Sequence, residues 1–167
     1  MIINPSRKDI ITLFMSEAKK KHDIRRGFNP ILQDAVGLVE VCVAFEAFID
    51  ELLHVRFISQ KRNNFSLKYQ YCFENHKTCL IQEIEVLQTE LQNQPLEDMT
   101  ANTTKGPINI TNINNLGEVI EVIYRVRSNL IHGSKNLYSE RNKILITNSF
   151  NFLYTFLEII FNEEGII

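Results

Sequence analysis

The chain has 167 residues, 44% hydrophobic and 23% charged, which is the balance of one folded domain with a sizeable core and excludes a disordered chain. A formal net charge of −2 gives no global attraction to nucleic acid, so contact with RNA has to come from local patches. Three cysteines without framework spacing, an N-terminus lacking an apolar core followed by small residues, and apolar runs broken at Glu40, Glu46 and Asp50 predict a cytoplasmic protein with no leader and no membrane span.

In chain order, Ser6 is placed to cap a first helix running to about Lys21, with Ile10, Ile11, Phe14, Met15 and Ala18 on its inner face. Lys19, Lys20, Lys21, Arg25 and Arg26 then form a basic cluster, which reads more readily as a solvated helix end than as a phosphate-binding patch. Pro30 suits the first turn of a second helix, since its missing N–H is not needed there. From Ile31 to about Ser59 the sequence is apolar almost all round, the pattern of a central, enclosed helix. Glu40 and Glu51 share its polar strip. Glu46 falls on the core side beside Val39 and Cys42, so it either snorkels to solvent, the readier reading, or pairs with a cation, for which Arg127 or Arg125 is the candidate.

Asn63 and Asn64 break the pattern, and Phe65 to Gln92 resumes it as one long helix or two shorter ones. Within it Cys72, His76 and Cys79 stand at i, i+4 and i+7. Three soft ligands on one face fall short of a four-ligand zinc site, so we expect buried or half-buried side chains there, no metal and no cofactor. Residues 93–112 form a polar stretch with Pro95, Gly106 and Pro107, expected to be a mobile connection or, less readily, a cover over the end of the next helix.

Thr111 or Asn112 can cap that next helix, whose apolar positions are Leu116, Val119, Ile120, Ile123, Val126 and Leu130. Gly133 is suited to end it and Lys135 to sit at its negative dipole end. Ser139 caps a last helix running to about Asn162, with a seam of Ile146, Phe150, Leu153, Leu157 and Ile160 widened by Phe152, Phe156 and Phe161. Such a helix is either central or in contact with another subunit. With no strand-like alternation, phosphate loop or repeat, the prediction is a single all-α domain over residues 1–167, an up-and-down bundle of four or five helices.

The chemistry-bearing residues gather at Tyr124–Lys135. At about 100° per residue, Arg125, Asn129 and His132 share one face, while Arg127 projects into the apolar arc of Ile123, Val126 and Leu130. Arginine there is either half of a structural ion pair or part of a site. Arg127, four residues and His132, with Asn129 between them and Gly133 after, resembles the signature of the HEPN domain (higher eukaryotes and prokaryotes nucleotide-binding). Ser128 holds the position after the arginine where many members carry Asn, Asp or His, and Arg125 also fits the spacing, so either arginine can be the motif residue.

The resemblance implies a HEPN-like bundle and a metal-independent endoribonuclease whose site is completed by a second chain, of the toxin or phage-defence kind. Arg127, His132, Asn129 and Arg125 would be its catalytic residues, with Ser128 and Lys135 touching substrate. RNA, a second copy of the chain, and an antitoxin or a neighbouring nucleotidyltransferase are the implied partners. A HEPN module that binds RNA, nucleotide or a protein without cutting is the alternative. The chemistry itself needs no metal: an imidazole can take the proton of an RNA 2′-hydroxyl, and a guanidinium can offset the charge rising on the phosphate.

Overall fold

The helix that organises the fold begins at Pro30, where Asn29 accepts the Leu32 N–H through Oδ1 at 3.3 Å and the Gln33 N–H through its carbonyl at 3.2 Å. The structure, a computed structural model, describes residues 5–23, 29–52, 58–97, 106–132 and 136–166. Within these it has six helices: α1 (Pro5–Asp23), α2 (Pro30–Leu52), α3 (Ile58–Asn75), α4 (Ile81–Asn93), α5 (Leu116–His132) and α6 (Glu140–Glu163), with a 3₁₀ turn at Lys77–Cys79 between α3 and α4.

The protein is therefore an all-α bundle, as its periodicity requires, with more helices than the four or five expected. Asn63 and Asn64, read as a break, lie inside α3. Asparagine is only a mediocre helix former, and here the buried side chains of Phe65, Tyr69 and Phe73 decide the conformation. The second helix is described as far as Leu52 and Ser59 belongs to α3, while residues 53–57 between them lie outside the described residues. Ser6 likewise lies within α1 rather than capping it.

α2 packs mainly against α1 and α6, α3 against α5, and α4 against α6. Arg7 at the start of α1 meets Asp50 near the end of α2 at 3.7 Å, and Lys21 at the end of α1 meets Glu40 at 2.8 Å, so the first pair runs antiparallel. Leu38, Val41, Cys42, Ala44, Phe45 and Phe48 are fully enclosed, and α2 is the central helix its composition predicted. Gly37 is required by the closeness of α6, because a Cβ at that position would come within 2.5 Å of the Phe150 ring.

α6 begins at Ser139, whose side chain accepts the Asn142 N–H at 3.3 Å, the cap expected. Its whole seam is buried, and so are Phe152, Phe156 and Phe161. The second apolar side of α6 faces this chain's own core, against Phe48, Phe65 and Phe73, and leaves no surplus face for another subunit there. By length and composition α6 could cross a membrane, but 61% of its most apolar window is buried inside the bundle, which is how a core helix reads.

Candidate functional site

α5 carries the candidate residues, and its start is fixed by a dense set of hydrogen bonds. Asn115 is the cap in place of Thr111 or Asn112: its Oδ1 accepts the N–H groups of Gly117 and Glu118 at 3.0 and 3.3 Å. Thr111 and Asn112 instead donate their backbone N–H groups to Glu118 Oε2 at 2.6 and 3.0 Å. Burial acts to raise the Glu118 pKa, but the backbone N–H groups of Asn112 and Thr111 outweigh it and hold the carboxyl below its usual range.

Nearly two turns past Glu118 lies Tyr124, which is buried. Its ring is covered by Arg62, whose guanidinium carbon is 4.4 Å from the ring centroid. Its hydroxyl donates to Glu46 Oε1 at 3.2 Å. Burial, with Cys42 and Glu46 nearby, pushes its pKa well above the ordinary phenol, so it remains a neutral donor. Glu46 also meets Arg127, at 3.8 Å from Nη2. The core-side carboxylate of α2 thus finds Arg127 and not Arg125 as its partner. The pair is only half enclosed, with side chains 24% and 35% exposed. Arg127 Nε is buried with no hydrogen-bond partner among the described residues.

Arg125 and Asn129 occupy the side of α5 that the helical wheel assigned to solvent, yet they are buried, at 9% and 1% exposure. The described parts of the 93–112 stretch cover them. Leu96 and Ile108 exchange backbone hydrogen bonds of 2.9 and 3.1 Å in an isolated antiparallel bridge, and Leu96 and Ile110 are buried. Asn129 Nδ2 donates to the Glu97 carbonyl at 2.8 Å, and Arg125 Nη1 donates to the Gly106 carbonyl at 3.5 Å. The wheel failed because polar residues on α5 match backbone carbonyls of a covering loop, which periodicity cannot reveal. The described ends of the stretch therefore act as a cover, while residues 98–105 lie outside the described residues.

His132, the last residue of α5, is exposed, and Ser128, one turn before it, is half-buried. Its chain neighbour Ile131 is 46% exposed, as is Tyr138, at 60%, near the start of α6. Gly133 and Lys135, expected as helix stop and substrate contact, lie outside the described residues. Five residues of helix put Arg127 and His132 about 140° apart, whereas Arg125 and His132 differ by only about 20°. The small cavity under this end, lined by Leu96, Val126, Asn129, Leu130 and α6 residues, measures about 10 Å³, room for roughly one water. That cavity is too small to admit a nucleotide.

Sequence reasoning missed Arg62, which donates to both Glu121 oxygens at 2.6 and 3.1 Å. Its signal was present: Arg62, Phe65, Tyr69 and Phe73 follow one helical face, hidden by the reading of Asn63–Asn64 as a break. The basic cluster of α1 is the solvated helix end expected, since Lys19, Lys20 and Lys21 meet Asp23, Glu17 and Glu40, while Arg25 and Arg26 lie outside the described residues. In comparisons with protein-family models, curated proteins and solved structures, nothing matches this chain.

Proposed function

We propose that the protein is a cytoplasmic, metal-independent endoribonuclease of the HEPN kind, acting as a homodimer in a toxin or phage-defence role. The observation that supports this reading is an exposed His132 at the end of a helix whose two arginines are held in place by other elements, Arg127 by Glu46 and Arg125 by the covering segment. In the reaction, one His132 takes the proton from an RNA 2′-hydroxyl, and the freed oxygen attacks the adjacent phosphorus. The bond from phosphorus to the 5′-oxygen breaks, leaving a 2′,3′-cyclic phosphate and a 5′-hydroxyl end.

The leaving oxygen needs a proton, and the motif brings one histidine per chain, so His132 of a second copy supplies it. Arginine stabilises the charge on the phosphate oxygens, and Arg127, whose side chain is 24% exposed and meets Glu46 only at 3.8 Å, is the arginine proposed for this role. The dimer argument rests on this stoichiometry and on the exposed Ile131 next to His132, not on α6. An antitoxin or a nucleotidyltransferase partner fits the same role.

Burial of Asn129 and Arg125 favours a second reading, a HEPN module that binds RNA, nucleotide or a protein without cutting. The experiment is incubation of an unstructured RNA with purified protein in EDTA, with analysis of product ends, alongside light scattering. Cyclic phosphate ends and a mass about twice 19.5 kDa are expected. RNA retention without cleavage selects the binding module, and a monomer at high concentration removes the composite site.

A further inference from the structure

α6 ends in a turn built on Gly165, whose φ of +66° is the left-handed conformation glycine adopts without strain. The Ile166 N–H returns to the Phe161 carbonyl at 2.8 Å, the Gly165 N–H to Asn162 at 3.2 Å, and the Ile166 side chain is buried, so the turn is fixed. It sets Glu163 and Glu164 at the negative end of the helix dipole, where carboxylates are disfavoured unless a cation or donors face them.

Donors do face them, from α3 and the residue following it. The Tyr69 hydroxyl donates to Glu164 Oε1 at 2.7 Å, and His76 Nε2 lies 2.9 Å from Glu163 Oε1. Cys72, one turn before His76, also hydrogen-bonds Glu163. The Cys72 sulfur, a His76 ring nitrogen and a Glu163 oxygen all lie within 4.8 Å of one another. Around a tetrahedral zinc ion, with bonds of about 2.0–2.3 Å, ligand atoms stand roughly 3–4 Å apart, so small side-chain movements would complete such a shell.

The set is not a nucleophilic cysteine with its base. The imidazole faces the carboxylate through Nε2, and burial together with the Glu163 hydrogen bond pushes the Cys72 pKa up to about 12, the opposite of activation. Nor is it the set the sequence suggested: Cys79 is exposed and its thiol turns to the His76 carbonyl at 2.9 Å, while Glu163 arrives from the far end of the chain.

We propose that Cys72, His76 and Glu163 form a zinc site with three protein ligands and one position open to water, clamping the end of α6 to the end of α3. Sulfur, imidazole and one carboxylate suit zinc better than magnesium or calcium, which take oxygen ligands. The site is remote from His132. Lys77, next to His76, hydrogen-bonds Asn114 just ahead of α5, and His132 lies at the other end of that 17-residue helix, roughly 25 Å away. The clamp therefore stands independently of the ribonuclease reading.

The test is native mass spectrometry of the full chain, stripped with chelator and then given zinc, together with absorption spectra after cobalt(II) addition. One zinc per chain and a thiolate-to-cobalt charge-transfer band are expected, both unchanged in Cys79→Ser. Cys72→Ser should lose the band, and His76→Gln and Glu163→Gln should each bind at least about tenfold more weakly, since even groups that merely orient a metal ligand are worth roughly 10–100-fold. Glu163 is exposed, so its variant keeps the test valid should a cysteine variant misfold. Wild-type protein that takes up no zinc at micromolar concentration, or a band that survives in Cys72→Ser, overturns the proposal.

Discussion

Arg62 covers the Tyr124 ring and Arg127 meets the Glu46 carboxylate that the Tyr124 hydroxyl also reaches, and the two arginines are satisfied to different degrees. Arg62 donates from Nε and Nη2 to the two oxygens of Glu121, lies over the Tyr124 ring and is almost enclosed. Arg127 makes one long contact to Glu46, leaves a buried Nε without a partner among the described residues and is 24% exposed. A bidentate, stacked guanidinium has its geometry committed to the fold. One with a buried donor left over costs stability where it stands. The contrast is between an arginine committed to the bundle by a bidentate pair and one held by a single long contact.

The largest expected effect breaks the comparison on the functional side. His132→Ala, at an exposed helix end, should lower RNA cleavage by about 10²–10⁴-fold with unchanged melting temperature and dimer mass. Cleavage at the wild-type rate would end the nuclease reading. Arg127→Ala should also lose about 10²–10³-fold, the scale of one transition-state donor. Arg62→Ala should cut RNA normally below its melting temperature, and a loss equal to that of Arg127→Ala would erase the distinction drawn here.

Stability should rank the two arginines in the reverse order. Arg62→Ala removes two charge-assisted hydrogen bonds and the cover over Tyr124, a loss of about 2–3 kcal/mol by denaturant unfolding. Had the Glu46–Arg127 pair been fully buried, breaking it would cost about 3–5 kcal/mol. At 3.8 Å and partial exposure, Arg127→Ala should cost only about 1 kcal/mol. Equal losses in the two variants would mean that Arg127 is as structural as Arg62.

The smallest effect tests the opposite end of α5. Glu118 has a folded pKa below its unfolded value, so its contribution is present above the unfolded value and is lost as pH falls through the folded one. Glu118→Gln should cost about 1 kcal/mol at neutral pH and flatten that acid limb, measured by unfolding at a series of pH values. An unchanged pH profile would show that the backbone donors of Thr111 and Asn112 do not depend on the charge.

The sequence by itself determined the helical class, the centrality of α2, the Ser139 start of α6 and the core-side position of Glu46. All of these follow from periodicity and from the cost of burying a charge, which are properties of one element or of a short window. Only the tertiary structure decided which arginine meets Glu46, why Arg125 and Asn129 are buried, and that Glu163 replaces Cys79 beside Cys72 and His76. Each of those depends on a partner far away in the chain, often a backbone carbonyl of a covering loop, and a helical wheel carries no information about what lies opposite a face. The same reason explains Asn63–Asn64: local propensity argued for a break of a few tenths of a kcal/mol per residue, and the aromatic side chains that α3 buries against α2 and α6 outweighed it.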